Sequence, residues 1–212
     1  GTLTDGTRRM SLEAVAALRR AEDSGVPVML ASGNVLPIAY AVSTYMGFSG
    51  PIVAENGGIV CHRQKVWVLG DAAEPLRAYE ELKARMPVER LFTDKWRETE
   101  VGIKETVDLS AVREALSEFD VDVQSTGWAI HIMRQGTDKY SGVGRGCELL
   151  GVPVQSVAAI GDSDNDVSML TGCGWGVATA NASGPTKEAA SYVTAGSHGE
   201  GVVEALEWLR VA

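Results

Sequence analysis

The sequence predicts an α/β protein built on a doubly wound parallel sheet, with a small α+β module inserted into it. Short apolar runs without alternation end in glycine or small polar residues, which is typical of parallel strands buried on both faces. Segments with helical spacing of apolar residues follow these runs, so strands and helices alternate along the chain. The middle third instead alternates polar and apolar residues, which indicates an open sheet with one solvated face.

The stretch from Val157 to Leu170 is the centre of this prediction. Its apolar start predicts a buried strand, and three aspartates (Asp162, Asp164 and Asp166) follow in the loop before the next helix. Open α/β sheets bind ligands at such strand ends. Asp162 and Asp166 offer hard carboxylate oxygens that suit Mg²⁺. A capped, solvated loop is the simpler alternative, and an isolated D-x-D pattern fits it equally well.

Residues 1–60 are predicted to form the first strands and helices of the α/β core. A helix with Ser11 as its N-cap should end near Gly25, because apolar residues recur at helical spacing between them. The elements predicted after it are a strand at 26–31, a helix at 39–46, and a strand at 52–54 closed by Glu55-Asn56-Gly57-Gly58.

The change of pattern after residue 60 predicts that residues 61–136 form the inserted module. Residues 1–60 and 137–212 then form one core domain. The elements predicted in the insert are strands at 66–69, 99–106, 121–124 and 128–132, and helices at 74–85 and 108–119. Those predicted after it are helices at 143–150, from 166, at 187–190 and at 201–209, and strands at 157–160, 175–178 and 192–194.

Composition narrows the classes of function. The 212 residues carry a formal net charge of −9, and 45% of them are hydrophobic. This acidic balance argues against a nucleic-acid partner or an anionic membrane surface, and no apolar run reaches the ~18 residues of a membrane span. Cys61, Cys147 and Cys173 lack metal-ligand or redox spacing, so we expect reduced core thiols in a cytoplasmic protein.

Small polar or acidic residues collect at three predicted strand ends: Gly1-Thr2, Ser32-Gly33-Asn34, and the aspartate loop. Lys139 stands at a predicted helix start where the insert ends. A hydroxyl and free backbone N–H groups suit phosphate oxygens, and a lysine adds a positive charge to the same group. With two aspartates for Mg²⁺, this set indicates phosphoryl transfer, although it includes no nucleophile.

Each of these candidates also has a simpler interpretation. The stretch Ser32-Gly33-Asn34 fits a plain turn, and Lys139 fits a surface lysine. His131 lies between apolar neighbours on a predicted strand, so we interpret it as a buried structural histidine. Arg97, in a polar stretch, is a candidate for binding a substrate carboxylate.

The motifs resemble those of the haloacid dehalogenase (HAD) superfamily of phosphatases, and the resemblance covers essentially the whole chain. The run from Gly161 to Asp166 matches the G-D-x-x-N-D motif, Leu30-Ala31-Ser32-Gly33-Asn34 resembles the second motif, and Lys139 falls at the third-motif lysine. The insert is similar to the type-IIB cap of the Cof-like branch. The resemblance therefore implies a Rossmann-like HAD core with an α+β cap. Within that branch it is closest to archaeal phosphoglycolate phosphatases.

The opening Gly1-Thr2-Leu3-Thr4-Asp5 resembles the tail of the first motif, D-x-D-G-T-[LI]-T-D. The nucleophilic and acid/base aspartates implied by the resemblance would both precede Gly1. Asp5 corresponds to the downstream aspartate of that motif and is rejected as nucleophile. We therefore expect the numbered chain to be an incomplete record that lacks a short N-terminal strand.

The resemblance implies a Mg²⁺-dependent phosphomonoesterase for a small phosphorylated metabolite, with 2-phosphoglycolate favoured and an aspartyl-phosphate intermediate. A sugar-phosphate phosphatase, a phosphomutase and a non-catalytic phospholigand-binding protein are the alternatives, and the sequence leaves a homodimer open. The site residues assigned in this way are Lys139 (catalytic), Ser32, Gly33, Asn34, Lys139 and Arg97 (substrate), Asp162 and Asp166 (metal), and Asn165 and Thr2 (supporting).

Overall fold

The structure, a computed structural model, describes residues 1–211. Helices and strands alternate through most of this range. The α-helices are α1 (Leu12–Asp23), α2 (Leu36–Met46), α3 (Ala73–Arg85), α4 (Leu109–Ala115), α5 (Lys139–Leu150), α6 (Val167–Gly172), α7 (Gly184–Ala189) and α8 (His198–Leu209). The strands are β1 (Leu30–Ala31), β2 (Ile52–Ala54), β3 (Ile59–His62), β4 (Lys65–Val68), β5 (Glu100–Lys104), β6 (Val121–Ser125), β7 (Ala129–Arg134), β8 (Ala158–Gly161), β9 (Trp175–Ala178) and β10 (Tyr192–Val193).

The core contains two groups of paired strands. One has the order β1-β2-β3-β4, in which β1 and β2 are parallel and the remaining pairs are antiparallel. The other has the order β10-β9-β8 and is parallel throughout. The predicted α/β class with parallel pairing is confirmed, and the antiparallel β3-β4 hairpin extends it.

The cap is a three-stranded antiparallel sheet with the order β5-β7-β6. Helices α3 and α4 cover one face of this sheet, and a hydrophobic cluster fills the space between them. That cluster is separate from the clusters of the core, so the cap has a hydrophobic interior of its own. The predicted α+β character of the insert is confirmed.

The domain boundary predicted at residue 61 falls inside a hairpin that pairs with the core sheet. Strand β3 pairs with β2, and β4 pairs with β3, so residues 59–68 extend the core sheet. The cap elements run from α3 to β7. Strand β3 was missed because Ile59-Val60-Cys61 follows a glycine pair that was interpreted only as the end of the preceding strand.

Most local predictions match the structure to within a few residues. Ser11 caps α1, and its hydroxyl accepts a hydrogen bond from the Ala14 N–H. The strand predicted at 26–31 is reduced to two residues, and α2 begins three residues earlier than predicted. The three cysteines are buried free thiols, as expected, and burial raises the pKa of Cys173 to about 11. None of the helices formed by residues 1–211 combines the length and apolar character that a bilayer crossing requires.

Candidate active site

The aspartate loop connects β8 to α6 and is held together by Asp166. The Asp166 Oδ2 atom accepts hydrogen bonds from the backbone N–H groups of Asp162 and Ser163, at 2.9 and 3.0 Å. Both donors lie at the start of the turn that leads into α6, so the carboxylate fixes the loop in the manner of a capping box. Asp166 is 3% exposed and therefore acts inside the fold.

Lys139 is the first residue of α5, and its ammonium Nζ lies 2.5 Å from Asp166 Oδ1. Both side chains are buried, at 7% and 5% exposure. Asp138 caps the helix and thereby sets the position of the lysine beside it. Lys139 therefore contacts the aspartate loop, and its burial excludes the simpler interpretation as a surface lysine.

Asp162 occupies the opposite side of the same loop, next to the beginning of the chain. Its Oδ1 accepts a hydrogen bond from the Thr2 hydroxyl at 2.6 Å, and the amide of Asn181 lies 3.4 Å from Oδ2. Thr2 was predicted as a supporting residue, and the structure places it against this carboxylate. Asn181 was missed, because it follows a strand whose end carried no charged signal.

The loop at 32–34 follows β1 and forms a tight turn of its own. The Ser32 hydroxyl accepts a hydrogen bond from the Asn34 N–H at 3.1 Å, which folds the loop around Gly33. A Cβ atom at Gly33 would lie 2.9 Å from Asn56 Oδ1 and 3.3 Å from His131 Cε1. Glycine is therefore required by the close approach of two other elements.

Asn56 connects these separate loops. It lies in the 55–58 turn after β2, where Glu55, Asn56 and Gly57 all have positive φ. The Asn56 Oδ1 atom accepts a hydrogen bond from Asn165 Nδ2, and its own Nδ2 donates to Glu100 Oε2, each at 2.8 Å. Asn56 thereby joins the aspartate loop to the cap. The Asn-Gly-Gly sequence by itself predicts only a turn.

Glu100, on β5 of the cap, collects the remaining buried polar groups. Its Oε1 atom accepts from His131 Nδ1 at 2.9 Å and also pairs with Arg97 Nη1. Arg97 Nη1 donates in turn to the Gly33 carbonyl at 2.9 Å. Together these contacts connect Gly33, Arg97, Glu100, Asn56 and Asn165, in that order, and we call this set the polar chain. It links the two loops predicted to hold a phosphate and a metal.

The charge of Glu100 follows from its neighbours. Burial by itself would raise the pKa of its carboxyl, but His131, Arg97 and Asn56 stabilise the anion and hold the pKa below its ordinary value. Glu100 is 2% exposed, so it is a buried anion paired with cationic and hydrogen-bonding partners.

The aspartate loop fits a Mg²⁺ site that a substrate would complete. Within residues 1–211, no three His, Cys, Asp or Glu side chains converge on one point. Asp166 Oδ1 keeps a lone pair after binding Lys139, and the buried Asn165 Oδ1 accepts no hydrogen bond from the described residues. Mg²⁺ usually takes one or two carboxylates together with substrate phosphate and water, so this partial set of oxygens suits it.

The structure brings most of the predicted site residues together. One loop cluster contains Thr2, Asp162, Asn165, Asp166 and Lys139. The Ser32-Gly33-Asn34 turn joins it through the polar chain. Arg97 was predicted to meet a substrate carboxylate. The structure places its guanidinium, 2% exposed, against Glu100 and Gly33 instead. The two aspartates expected before Gly1 lie outside the described residues.

Comparison with known sequences gives a consistent picture. A family of haloacid dehalogenase-like hydrolases matches residues 1–81 and 95–206. A protein named phosphoglycolate phosphatase from Methanothermobacter thermautotrophicus is 45% identical over 206 residues, covering 97% of this chain and 93% of the relative. A protein of the same name from Methanopyrus kandleri is 37% identical over 216 residues, covering 99% and 93%.

Solved structures share the arrangement of core and cap. A Thermoplasma acidophilum protein superposes with a TM-score of 0.92 at 29% identity, covering 100% of this chain and 95% of that chain. A sugar phosphatase of HAD subclass IIB superposes with a TM-score of 0.85 at 17% identity, covering 100% and 96%. At that identity the second likeness concerns the fold alone.

Proposed function

Because this chain belongs to the haloacid dehalogenase-like hydrolase family, we propose that it is a phosphomonoesterase for small phosphorylated metabolites, with 2-phosphoglycolate as its substrate. The observation that carries the proposal is the buried pair between Lys139 and Asp166, beside Asp162, at the edge where the strand ends meet. A positive charge and oxygen ligands at one point are what a phosphoryl group and its metal require. The substrate is proposed from the relatives that bear its name.

The residues of the loop cluster have distinct parts in this proposal. Lys139 neutralises charge on the phosphoryl group and is aimed at it by Asp166. The Ser32 hydroxyl and the backbone N–H groups of the 32–34 turn bind phosphoryl oxygens. Asp162 and the free lone pair of Asp166 would hold Mg²⁺, and Asn165 keeps the loop joined to Asn56.

Bound Mg²⁺ would offset phosphate charge and polarise the phosphorus centre. The nucleophilic aspartate implied by the family resemblance would precede Gly1, and its part in the reaction stays a prediction. The cap covers the loops, so its closure would exclude water from the reacting group.

Two isosteric variants in the same loop test the metal assignment. Asp162→Asn removes a carboxylate that faces the site, and we expect a loss of at least about a hundredfold in Mg²⁺-dependent turnover of 2-phosphoglycolate. Asp164→Asn removes the same charge from the same loop, but the Asp164 carboxylate accepts a hydrogen bond from the Ser183 hydroxyl and has no contact with Lys139 among residues 1–211. We expect Asp164→Asn to retain near wild-type turnover.

The measurement is phosphate release by the full-length protein across a Mg²⁺ titration, with a panel of phosphoglycolate, sugar phosphates and ethyl phosphate. Equal losses in the two variants would reject the assignment of Asp162 to the metal. A wild-type preference for sugar phosphates over phosphoglycolate would reject the proposed substrate while leaving the reaction class intact.

A further inference from the structure

One face of the cap sheet is turned toward the core loops. Side chains alternate along each strand, and one set, which packs in the cap interior under α3 and α4, consists of Val101, Ile103, Val123, Ile130 and Ile132. The alternate positions on the same three strands are Glu100, Gly102, Gln124, His131 and Met133. Glu100 contacts Asn56, and a Cβ atom at Gly33 would lie 3.3 Å from His131 Cε1, so this second face forms the roof over the candidate active site.

His131 has one partnered and one unpartnered nitrogen in this roof. Its Nδ1 atom is 2.9 Å from Glu100 Oε1, and the residue is only 4% exposed. Among residues 1–211, no hydrogen bond involves its Nε2 atom. His131 Cε1, to which Nε2 is bonded, lies 3.3 Å from the position that a Cβ atom of Gly33 would occupy, so the unpartnered nitrogen lies near the proposed phosphoryl-binding turn.

From this geometry we infer that His131 determines substrate specificity by binding an anionic leaving group, the carboxylate of 2-phosphoglycolate. The inference rests on the proposed function and deepens it. In that substrate the carboxylate carbon is two bonds from the ester oxygen. A side chain beside Gly33 is therefore close enough to meet the carboxylate while the phosphoryl group occupies the 32–34 turn.

His131 is favoured for this role over Lys139 and Arg97, because both of those side chains already have partners. Lys139 is paired with Asp166, and Arg97 with Glu100 and the Gly33 carbonyl. Glu100 Oε1 lies 2.9 Å from His131 Nδ1 and orients the ring. In the imidazolium form of the ring, Nε2–H is a donor whose acceptor is supplied by the substrate, and such a site discriminates against analogues that lack the acceptor.

Two substitutions at one position test the inference. His131→Asn keeps an amide donor near the Nδ1 position for Glu100 and removes the Nε2 donor. His131→Gln places an amide donor near the Nε2 position. The substrates are 2-phosphoglycolate and ethyl phosphate, which has the same two-carbon leaving group without the carboxylate.

We expect His131→Asn to lower kcat/KM for phosphoglycolate by about tenfold to a hundredfold, the value of one hydrogen bond to a charged group. Its kcat/KM for ethyl phosphate should change less than about threefold, and the loss on phosphoglycolate should appear mainly in KM. His131→Gln should recover part of the preference. Unfolding midpoints of both variants check that they fold.

The outcomes separate this inference from the proposed function. Equal losses on both substrates would assign His131 a purely structural role and overturn the inference. A wild-type preference for phosphoglycolate that both variants retain would overturn it as well. Wild-type turnover of ethyl phosphate without any preference for phosphoglycolate would refute the proposed substrate, and the role of His131 with it.

Discussion

Glu55 and Glu100 are both buried where the cap meets the core, but their surroundings differ. Glu55 accepts hydrogen bonds from neutral donors only, the backbone N–H groups of Glu98 and Thr99 and the Thr99 hydroxyl, at 2.7 to 3.3 Å. Glu100 is paired with Arg97 and His131. Burial raises the pKa of Glu55, with only partial relief from Thr99 and Glu98. The cationic neighbours lower the pKa of Glu100 despite its burial.

The different surroundings give Glu55 and Glu100 different roles where the cap meets the core. Glu55, in the core, holds the cap segment that enters β5, so it anchors the cap to the core. Gly57, beside it, leaves no room for a Cβ against the Asp138 carbonyl of the linker that returns to the core. Glu100 instead builds the charged roof of the site. A buried carboxylate with cationic partners on this roof indicates function, whereas one held by backbone N–H groups indicates anchoring.

The largest expected effect is on Glu100. Glu100→Gln leaves the buried charge of Arg97 without its anion and weakens the contact with His131, so we expect the free energy of unfolding to fall by about 3–5 kcal/mol. Urea denaturation at neutral pH measures it. Glu89→Gln, which removes the exposed partner of Lys104, should cost no more than about 1 kcal/mol. Equal costs would contradict the buried pairing.

Glu55→Gln is expected to lower the free energy of unfolding by less than Glu100→Gln does, and with the opposite dependence on pH. Glu55→Gln keeps one acceptor for neutral donors, so we expect a cost of about 1–2 kcal/mol. The pKa of Glu55 is raised in the fold, so its stabilising contribution is present below its usual value of 4.5 and declines as pH rises through the folded pKa. The cost of Glu55→Gln should therefore decrease with rising pH.

The pKa of Glu100 is lowered in the fold, so its contribution is present above the same usual value of 4.5 and is lost as pH falls through the folded pKa. The cost of Glu100→Gln should therefore increase with rising pH. Urea unfolding of the wild type and both variants on either side of pH 4.5 compares the two slopes. Slopes of the same sign would refute the contrast between the two sites.

The smallest expected effect concerns an exposed contact between core and cap. The Arg8 guanidinium lies 4.7 Å from the centre of the Trp128 ring, which joins the core loop before α1 to the cap loop before β7. Removing this cation–π contact should cost about 0.5–1 kcal/mol of cap closure. We expect Arg8→Ala to raise KM about two- to fivefold, with Arg9→Ala as the adjacent control. Identical KM values would show that the contact contributes nothing to closure.

Several site residues could be predicted because their signals are local. An apolar strand followed by Gly161-Asp162 and a helix start places the aspartates at a strand end, and Asp138 before Lys139 marks the start of α5. His131 illustrates the limit of such reasoning. Its apolar neighbours indicate a buried structural residue, which matches its burial, but nothing in the sequence indicates that Glu100 or Gly33 lies beside it.

The amino-acid sequence by itself determined the strands, the helix caps and the order of the motifs, because apolar periodicity and capping act over a few residues. Only the tertiary structure determined the polar chain and the position of the β3-β4 hairpin. Asn56 meets Glu100 across 44 residues and Asn165 across 109. Such contacts form only after both modules have packed, and it is the packing of the cap over the core that brings Asn56 to Glu100 and the Gly33 carbonyl to Arg97.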